Sequence, residues 1–380
     1  MWAILVWTIP LLLISVSVAV HPQHRTITGV YHEASEAWWQ NQNLYRTGPG
    51  PAGFYYLPQF AILFAPFHAI PTPVGDILWR WLSLGVLVHG WWKLTRLVST
   101  NNPDRLFFWS SVLGIASCLA SIRNGQANVI LAGLFVQAVA CLIQARWWLA
   151  SLCLIVAIAL KPLGLVMLVL ALFGYPPIRS KVLIAAVAFV LLPFCCAAPG
   201  YVLSQLYNGY VSLWNASLIT PREFADISGL LKAAGVELSQ TVSQWARVTA
   251  GALTLVCWWL GIRRTDEPFR GLLLLALSTA CLMLFNPMTE ANSYVLLAPA
   301  VAIVAVHCME TDLLWLGRIF AGIIVSIGVL PELVRRQYSH VALWWNPLMT
   351  ILFIVLLLWY LPKVLRSGTI CPDSHGHHAT

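Results

Sequence analysis

Long apolar runs separated by short polar breaks make up most of the chain, and many reach about 15 to 20 residues, enough to cross a bilayer as a helix. Bounded by Pro, Gly and charged breakers, the runs predict helices near 2–20, 74–97, 105–121, 128–144, 147–160, 162–174, 182–198, 244–262, 271–285, 293–309, 313–331 and 344–362. The stretch 147–173 admits one long helix or two short ones around Lys161-Pro162. Pro162 breaks the helical hydrogen-bond ladder, and a lysine at mid-membrane costs about 2.5 to 3.5 kcal/mol, so two short helices meeting at a surface are favoured. That split also gathers Lys93, Arg96, Arg105, Arg146, Arg179, Lys181, Arg263, Arg264, Arg270, Lys363 and Arg366 on one side, the cytoplasm by the positive-inside rule. The pattern therefore predicts an all-α polytopic membrane protein of about twelve transmembrane helices with both termini cytoplasmic. Residues 1–366 form a single integral membrane domain, with the long loops 21–73 and 199–243 facing outward, and 367–380 a polar cytoplasmic tail.

Composition supports the membrane assignment. Of 380 residues 59% are hydrophobic and only 9% charged, against roughly 25% charged in a soluble domain. A mean hydropathy of +0.77 excludes a water-soluble globular protein. The net charge of +8 comes without a basic stripe, a run of like charges or zinc-finger spacing, which argues against nucleic acid as a partner. Cys118, Cys141, Cys153, Cys195, Cys196, Cys257, Cys281 and Cys308 lie in or beside apolar runs, where a thiol acts as a small hydrophobe. The run Trp2 to Val20 lacks a basic leader and exceeds a typical signal core, so it is expected to be a retained span. His375, His377 and His378 lack further ligands in the tail, and neither a metal nor a cofactor is expected.

Candidate chemistry concentrates in the predicted outer segments. Val30 to Gln40 reads as an interfacial helix in the first outer loop, with Ala34, Ala37 and Trp38 on one side and Glu33, Glu36 and Gln40 on the other. Either glutamate is a candidate general base, although carboxylates on a polar helix face are more often simply solvated. Gly48 to Gly53 is a loop, followed by Tyr55 and Tyr56 and by a short apolar stretch, 60–70, expected to be re-entrant or interfacial. Arg123, Asn124, Gly125, Gln126 and Asn128 pack more polarity between two apolar helices than a turn needs. The guanidinium fork of Arg123 suits phosphate oxygens, though an arginine at a helix end can also just snorkel. Lys161, between Ala157–Leu160 and Leu163, is hard to justify by packing and is a candidate for an anionic substrate. Asn286, Pro287, Thr289, Glu290 and Asn292 form a third cluster, in which Glu290 is a candidate base or hydroxyl acceptor. Trp214, Asn215, Arg222, Glu223, Asp226 and Lys232 in the loop 199–243 read as an ordinary solvated segment.

Taken in order, VYHEASEAWWQNQNLY, YLPQFAILFAPFHAIP, NGQANVILAGL, ALKPLGLVMLVLAL and NPMTEANSYVLLAPA resemble glycosyltransferase family 87, among the polyprenyl-phosphate-dependent glycosyltransferases of the GT-C type. The resemblance implies a membrane enzyme, in the bacterial inner membrane, with a polyprenyl-phosphate sugar donor. It would move a hexose, often mannose, to a lipid or glycan acceptor at the outer face by inverting displacement. By the same resemblance Gln126, Asn128 and Lys161 fall on polar motif positions; with Arg123 they form the expected donor site, and Tyr31, Tyr56 and Asn286 are expected to contact acceptor or lipid. The family's usual Asp, four residues before the tyrosine matched by Tyr31, is replaced by Ile27, so Glu33, Glu36 or Glu290 would have to supply the base. Two rivals remain open at this stage. A polytopic transporter suits the span count, but residues 190–380 do not repeat the first-loop pattern. A non-catalytic lipid-sugar-binding protein suits Ile27.

Overall fold

The computed structural model describes residues 2–22, 24–45, 53–99, 101–162, 164–218, 224–286, 288–334 and 340–366. The tail 367–380, Arg222, Glu223, Pro287 and most of the Gly48 to Gly53 run lie outside these described residues. The described residues form sixteen α-helices and no strand. In chain order they are α1 (Trp2–Val20), α2 (Thr28–Trp39), α3 (Pro58–His68), α4 (Thr72–Val98), α5 (Pro103–Asn124), α6 (Asn128–Ile143), α7 (Trp147–Leu160) and α8 (Gly164–Gly174). There follow α9 (Arg179–Leu191), α10 (Pro199–Leu218), α11 (Ile227–Ala233), α12 (Gln240–Ile262), α13 (Phe269–Phe285), α14 (Ala298–Met309), α15 (Leu314–Val334) and α16 (Val341–Arg366).

Every apolar run read from the sequence coincides with a helix, but the helices differ in reach. Among the described residues six segments are long and apolar enough to cross a membrane: α1, α5, Pro176–Cys195 around α9, α12, α15 and α16. A seventh is added if α3 and α4, bent by 119° at their junction, count as one broken span. The remaining apolar helices, α6, α7, α8, α13 and α14, have fewer than 18 residues. The 11 residues of α8 rise about 16 Å, roughly half a bilayer's hydrocarbon core. Burial gives the reason for the short lengths. Nearly every residue of α13 and α14 is buried, as is most of α6, so these helices are apolar all round and pack inside protein. By contrast α1, α12 and α15 turn Leu, Ile, Val and Trp side chains outward.

Packing draws the short helices together. α4 lies along α6, and α5 contacts α1, α14 and α15. Gly133 makes the α4–α6 approach possible, since a Cβ there would fall 2.6 Å from the Leu87 backbone nitrogen. Across 147–175 the chain doubles back: the Trp147 and Tyr175 rings are 6.4 Å apart, whereas a continuous helix would separate them by about 42 Å. Lys161-Pro162 is therefore the turn between two short helices, as the split reading expects, but Lys161 is half-buried among protein partners there and not at a free surface.

Contacts sort the polar residues to two ends of the bundle. At one end Lys93 Nζ reaches Cys141 Sγ (3.4 Å), Tyr175 donates to Glu267 (2.8 Å), Phe269 packs on His307, and Arg105 meets Glu310 (3.5 Å). Arg146, Arg179, Arg263, Arg264 and Arg270 sit beside these residues in the chain. At the opposite end lie the loop before α2, the α5–α6 turn, the α7–α8 turn and the segment after α13.

The region 199–243 departs from the solvated loop expected of it. Its first part is the 20-residue helix α10, and Asp226 is only 3% exposed. Asp226 caps α11, its Oδ1 accepting from the N–H groups of Ser228 (2.9 Å) and Gly229 (3.1 Å), while burial raises its pKa above the usual carboxylate value. The neighbouring Ala225 N–H donates to the Thr289 carbonyl (2.7 Å), joining this region to the segment after α13.

Candidate functional site

The site is built around the turn between α5 and α6. α5 ends because Gly125 takes a left-handed conformation, φ +65°, and directs the chain into α6. Trp79 Nε1 donates to the Gly125 carbonyl (2.8 Å), and Arg80 NH2 donates to the Arg123 carbonyl (3.0 Å). The space is full: a Cβ on Gly125 would lie 2.7 Å from Thr28 Cγ2. The Ile27 N–H completes the frame by donating to the Asn124 carbonyl (3.0 Å).

From this turn a polar chain runs across four parts of the sequence. Gln126 Nε2 donates to Glu290 Oε2 (3.1 Å), and Gln126 Oε1 accepts from Asn128 Nδ2 (2.8 Å). Asn128 Oδ1 in turn accepts from Lys161 Nζ (2.7 Å), and Asn128 Nδ2 also reaches Ser293 Oγ (3.2 Å). Asn128 is 1% exposed, so its partners fix it in one orientation. The Lys161 ammonium stands 5.7 Å from the centre of the Tyr56 ring. Burial lowers the Lys161 pKa and the carboxylate of Glu290 works against that shift. Tyr56 and Tyr31 share a hydroxyl–hydroxyl bond (2.9 Å), and the Tyr31 hydroxyl accepts from the Ala127 N–H (3.2 Å). Burial of Tyr31 among Phe60, Phe64 and Trp79 raises its pKa to about 12, so it stays protonated. Six of the sequence-selected residues thus meet in one group: Glu290, Gln126, Asn128, Lys161, Tyr56 and Tyr31.

A cavity of about 580 Å³ opens beside this group, with Gln126 and Glu290 on one wall, Arg25 and Arg123 contributing cations, and Ile27 and Glu332 completing it. The Arg123 Nε is buried and makes no hydrogen bond among the described residues. The cavity shares Arg123, Asn292 and Pro331 with an adjoining, mostly apolar groove of about 530 Å³ between α1, α5 and α15. Chemically, the arrangement offers a carboxylate, cations able to hold an anion, and an apolar slot reaching the outward-turned apolar side chains of α1 and α15. Lys161 lies behind the cavity wall, linked to it through Asn128 and Gln126.

Other selected residues stand apart. Glu33 and Glu36 are exposed on the polar face of α2, with Glu36 accepting from Gln40 (2.9 Å). Asn286 donates to Thr289 Oγ1 (3.2 Å), bracing the turn that carries Glu290.

One cluster escaped the sequence reading. Asp76, 1% exposed, accepts from Thr28 Oγ1 (2.8 Å) and from His32 Nε2 (3.0 Å). With Nε2 carrying the proton, His32 Nδ1 is left to accept from His68 Nδ1 (3.4 Å). Arg80, equally buried, donates to Thr26 Oγ1 (2.9 Å), and that hydroxyl lies 2.7 Å from Thr28 Oγ1. The available signal was Asp76 and Arg80, four residues apart on one face of an apolar helix.

The family model for glycosyltransferase family 87 matches residues 54–287. Among curated proteins, a polyprenol-phosphate-mannose-dependent alpha-(1-2)-phosphatidylinositol pentamannoside mannosyltransferase of Mycolicibacterium smegmatis is 30% identical over 115 residues. That alignment covers 29% of this chain and 27% of the relative, so the similarity spans about a quarter of the relative's length.

Proposed function

The chain belongs to glycosyltransferase family 87, and from that premise we propose that it is a polyprenyl-phosphate-sugar-dependent hexosyltransferase acting at the outer membrane face. The sugar we favour is mannose, after the donor in the name of the mycobacterial relative, and the acceptor is a lipid or glycan hydroxyl. The observation that carries the proposal is the hydrogen-bonded run Glu290–Gln126–Asn128–Lys161 beside a cavity with cationic and acidic walls. In the proposed reaction Glu290 removes the proton from the acceptor hydroxyl. The acceptor oxygen bonds to the anomeric carbon as the bond from that carbon to the phosphate oxygen breaks, with inversion. The departing polyprenyl phosphate keeps the electron pair, its charge met by Arg123 and, relayed through the Asn128 and Gln126 amides, by Lys161. Gln126 holds Glu290 in register. The Tyr31–Tyr56 pair and Asn286 shape the acceptor side, and the groove between α1, α5 and α15 takes the isoprenoid tail.

The proposal includes a topology of twelve crossings in which the five short helices run enclosed by protein with the α7–α8 turn below the outer surface, α2 lies at the outer interface, and both termini face the cytoplasm. The basic end of the bundle supports that orientation. A second reading, a lipid-sugar-binding protein without catalysis, is favoured by one observation: Ile27 contributes an apolar side chain to the cavity at the family's usual carboxylate position. The deciding test incubates the purified protein with radiolabelled polyprenyl-phosphate mannose and a panel of acceptors. Labelled product supports transfer, and saturable donor binding without product supports the second reading. Substrate flux in proteoliposomes without product would contradict both.

A further inference from the structure

At the end of the bundle opposite Glu290, a cavity of about 440 Å³ is lined by Lys93, Arg96 and Arg146 together with Trp92, Gln137 and Gln144. Cations are expected at a cytoplasmic end, but these differ from their neighbours. Arg105 there has Glu310 as partner and Arg270 has Asp266, whereas none of Lys93, Arg96 and Arg146 has a carboxylate partner among the described residues. Among the described residues no carboxylate lines the cavity. Lys93 is half-buried, with only the Cys141 sulfur at 3.4 Å, and the Arg96 guanidinium sits 5.0 Å over the Trp92 ring. Mutual repulsion of three cations in a partly enclosed space is relieved by a bound anion. Two further groups lack partners: the Oε1 atoms of Gln137 and Gln144 are buried and accept no hydrogen bond among the described residues.

The surroundings identify the anion's carrier. His89 and Trp92 also line a second cavity of about 700 Å³, walled by Trp2, Ile4, Val88 and Phe108 of α1, α4 and α5. A charged pocket thus opens sideways onto an apolar slot between helices that face lipid. Asp104 and Arg105 also line the slot, where Arg105 is paired with Glu310 (3.5 Å).

We propose that this pair of cavities binds one anionic phospholipid of the inner leaflet whose headgroup carries hydroxyls. The phosphodiester would sit among Lys93, Arg96 and Arg146, the hydroxyls would donate to Gln137 and Gln144 once these side chains turn their amide oxygens into the cavity, and an acyl chain would fill the slot. The site is separate from the proposed transfer chemistry, and its place in the inner leaflet rests on the proposed topology.

Native mass spectrometry of the full chain, released from mixed micelles of phosphatidylglycerol, phosphatidic acid and phosphatidylcholine, tests the proposal. One tightly retained phosphatidylglycerol is expected, ahead of phosphatidic acid, with phosphatidylcholine last. Neutralising each cation should lower that preference by roughly fivefold. Arg146→Gln, on an exposed turn, provides a variant that leaves the helices intact, and Lys93→Gln/Arg96→Gln/Arg146→Gln should abolish the preference. Glycerol 1-phosphate added in excess should not displace the lipid, because it cannot fill the slot. Displacement by glycerol phosphate, or an unchanged preference in folded Arg146→Gln, would overturn the assignment. If the triple variant fails to fold, the single variant and the lipid ranking of the wild type still decide.

Discussion

At the residue scale the account turns on Glu290 and Lys161, the two ends of one hydrogen-bonded run. Glu290→Gln keeps the size of the side chain and a carbonyl acceptor toward Gln126 but cannot take up a proton. The expected result is a single-turnover transfer rate lower by a factor of about 10² to 10⁴ with donor affinity nearly unchanged. Lys161 contributes a pH dependence whose sign follows from its surroundings. Burial lowers its pKa, so its charge is lost as pH rises, at a lower pH than for an exposed lysine. Donor binding should therefore weaken on the alkaline side. Lys161→Arg, with a guanidinium that stays protonated, should extend the plateau to higher pH, and equilibrium donor titrations between neutral and alkaline pH check this. Lys161 was legible from sequence because a charge between Ala157 and Gly164 has no packing rationale. Asp76, Arg80 and His32 were not, because their partners lie 44 to 54 residues away in the chain and no local spacing encodes those pairings.

At the scale of elements, the turn between α5 and α6 holds the group together, and Gly125 is its most constrained position. Gly125→Ala forces a left-handed conformation on alanine, costing about 1–2 kcal/mol, and drives its Cβ against Thr28 and Arg80. Thermal melting in detergent should fall by several degrees, and transfer should fall with it as Gln126 and Asn128 lose register. Gly322→Ala is the control: nothing lies within 4 Å of its Cβ position on α15, so its melting temperature should be unchanged or higher. Helix positions were readable in the sequence because bilayer and core burial both write themselves as apolar runs. Which of the two a run serves was not readable, since α13 and α14 are unbroken apolar runs like α1 yet are enclosed by protein. The helical character of 199–218 also escaped, hidden by Tyr, Asn, Gln and Ser residues that broke the apolar pattern of α10.

For the whole molecule, the polar residues divide between two ends, and the function proposed requires those ends to face opposite sides of the membrane. In a background with the native cysteines replaced by serine, Gln40→Cys, just past the end of α2, should react with a membrane-impermeant maleimide in intact cells. Ser180→Cys on α9 should react only after permeabilisation. Equal labelling of both would contradict the topology. The central claim, that Glu290 acts as base within a group assembled from four parts of the chain, is tested most directly by one paired measurement. Donor binding and product formation are read side by side for the wild type, Glu290→Gln and Glu33→Gln with labelled polyprenyl-phosphate mannose. The account predicts equal donor binding by all three, with product lost only in Glu290→Gln. Full product from Glu290→Gln, or loss of product in Glu33→Gln instead, would contradict it.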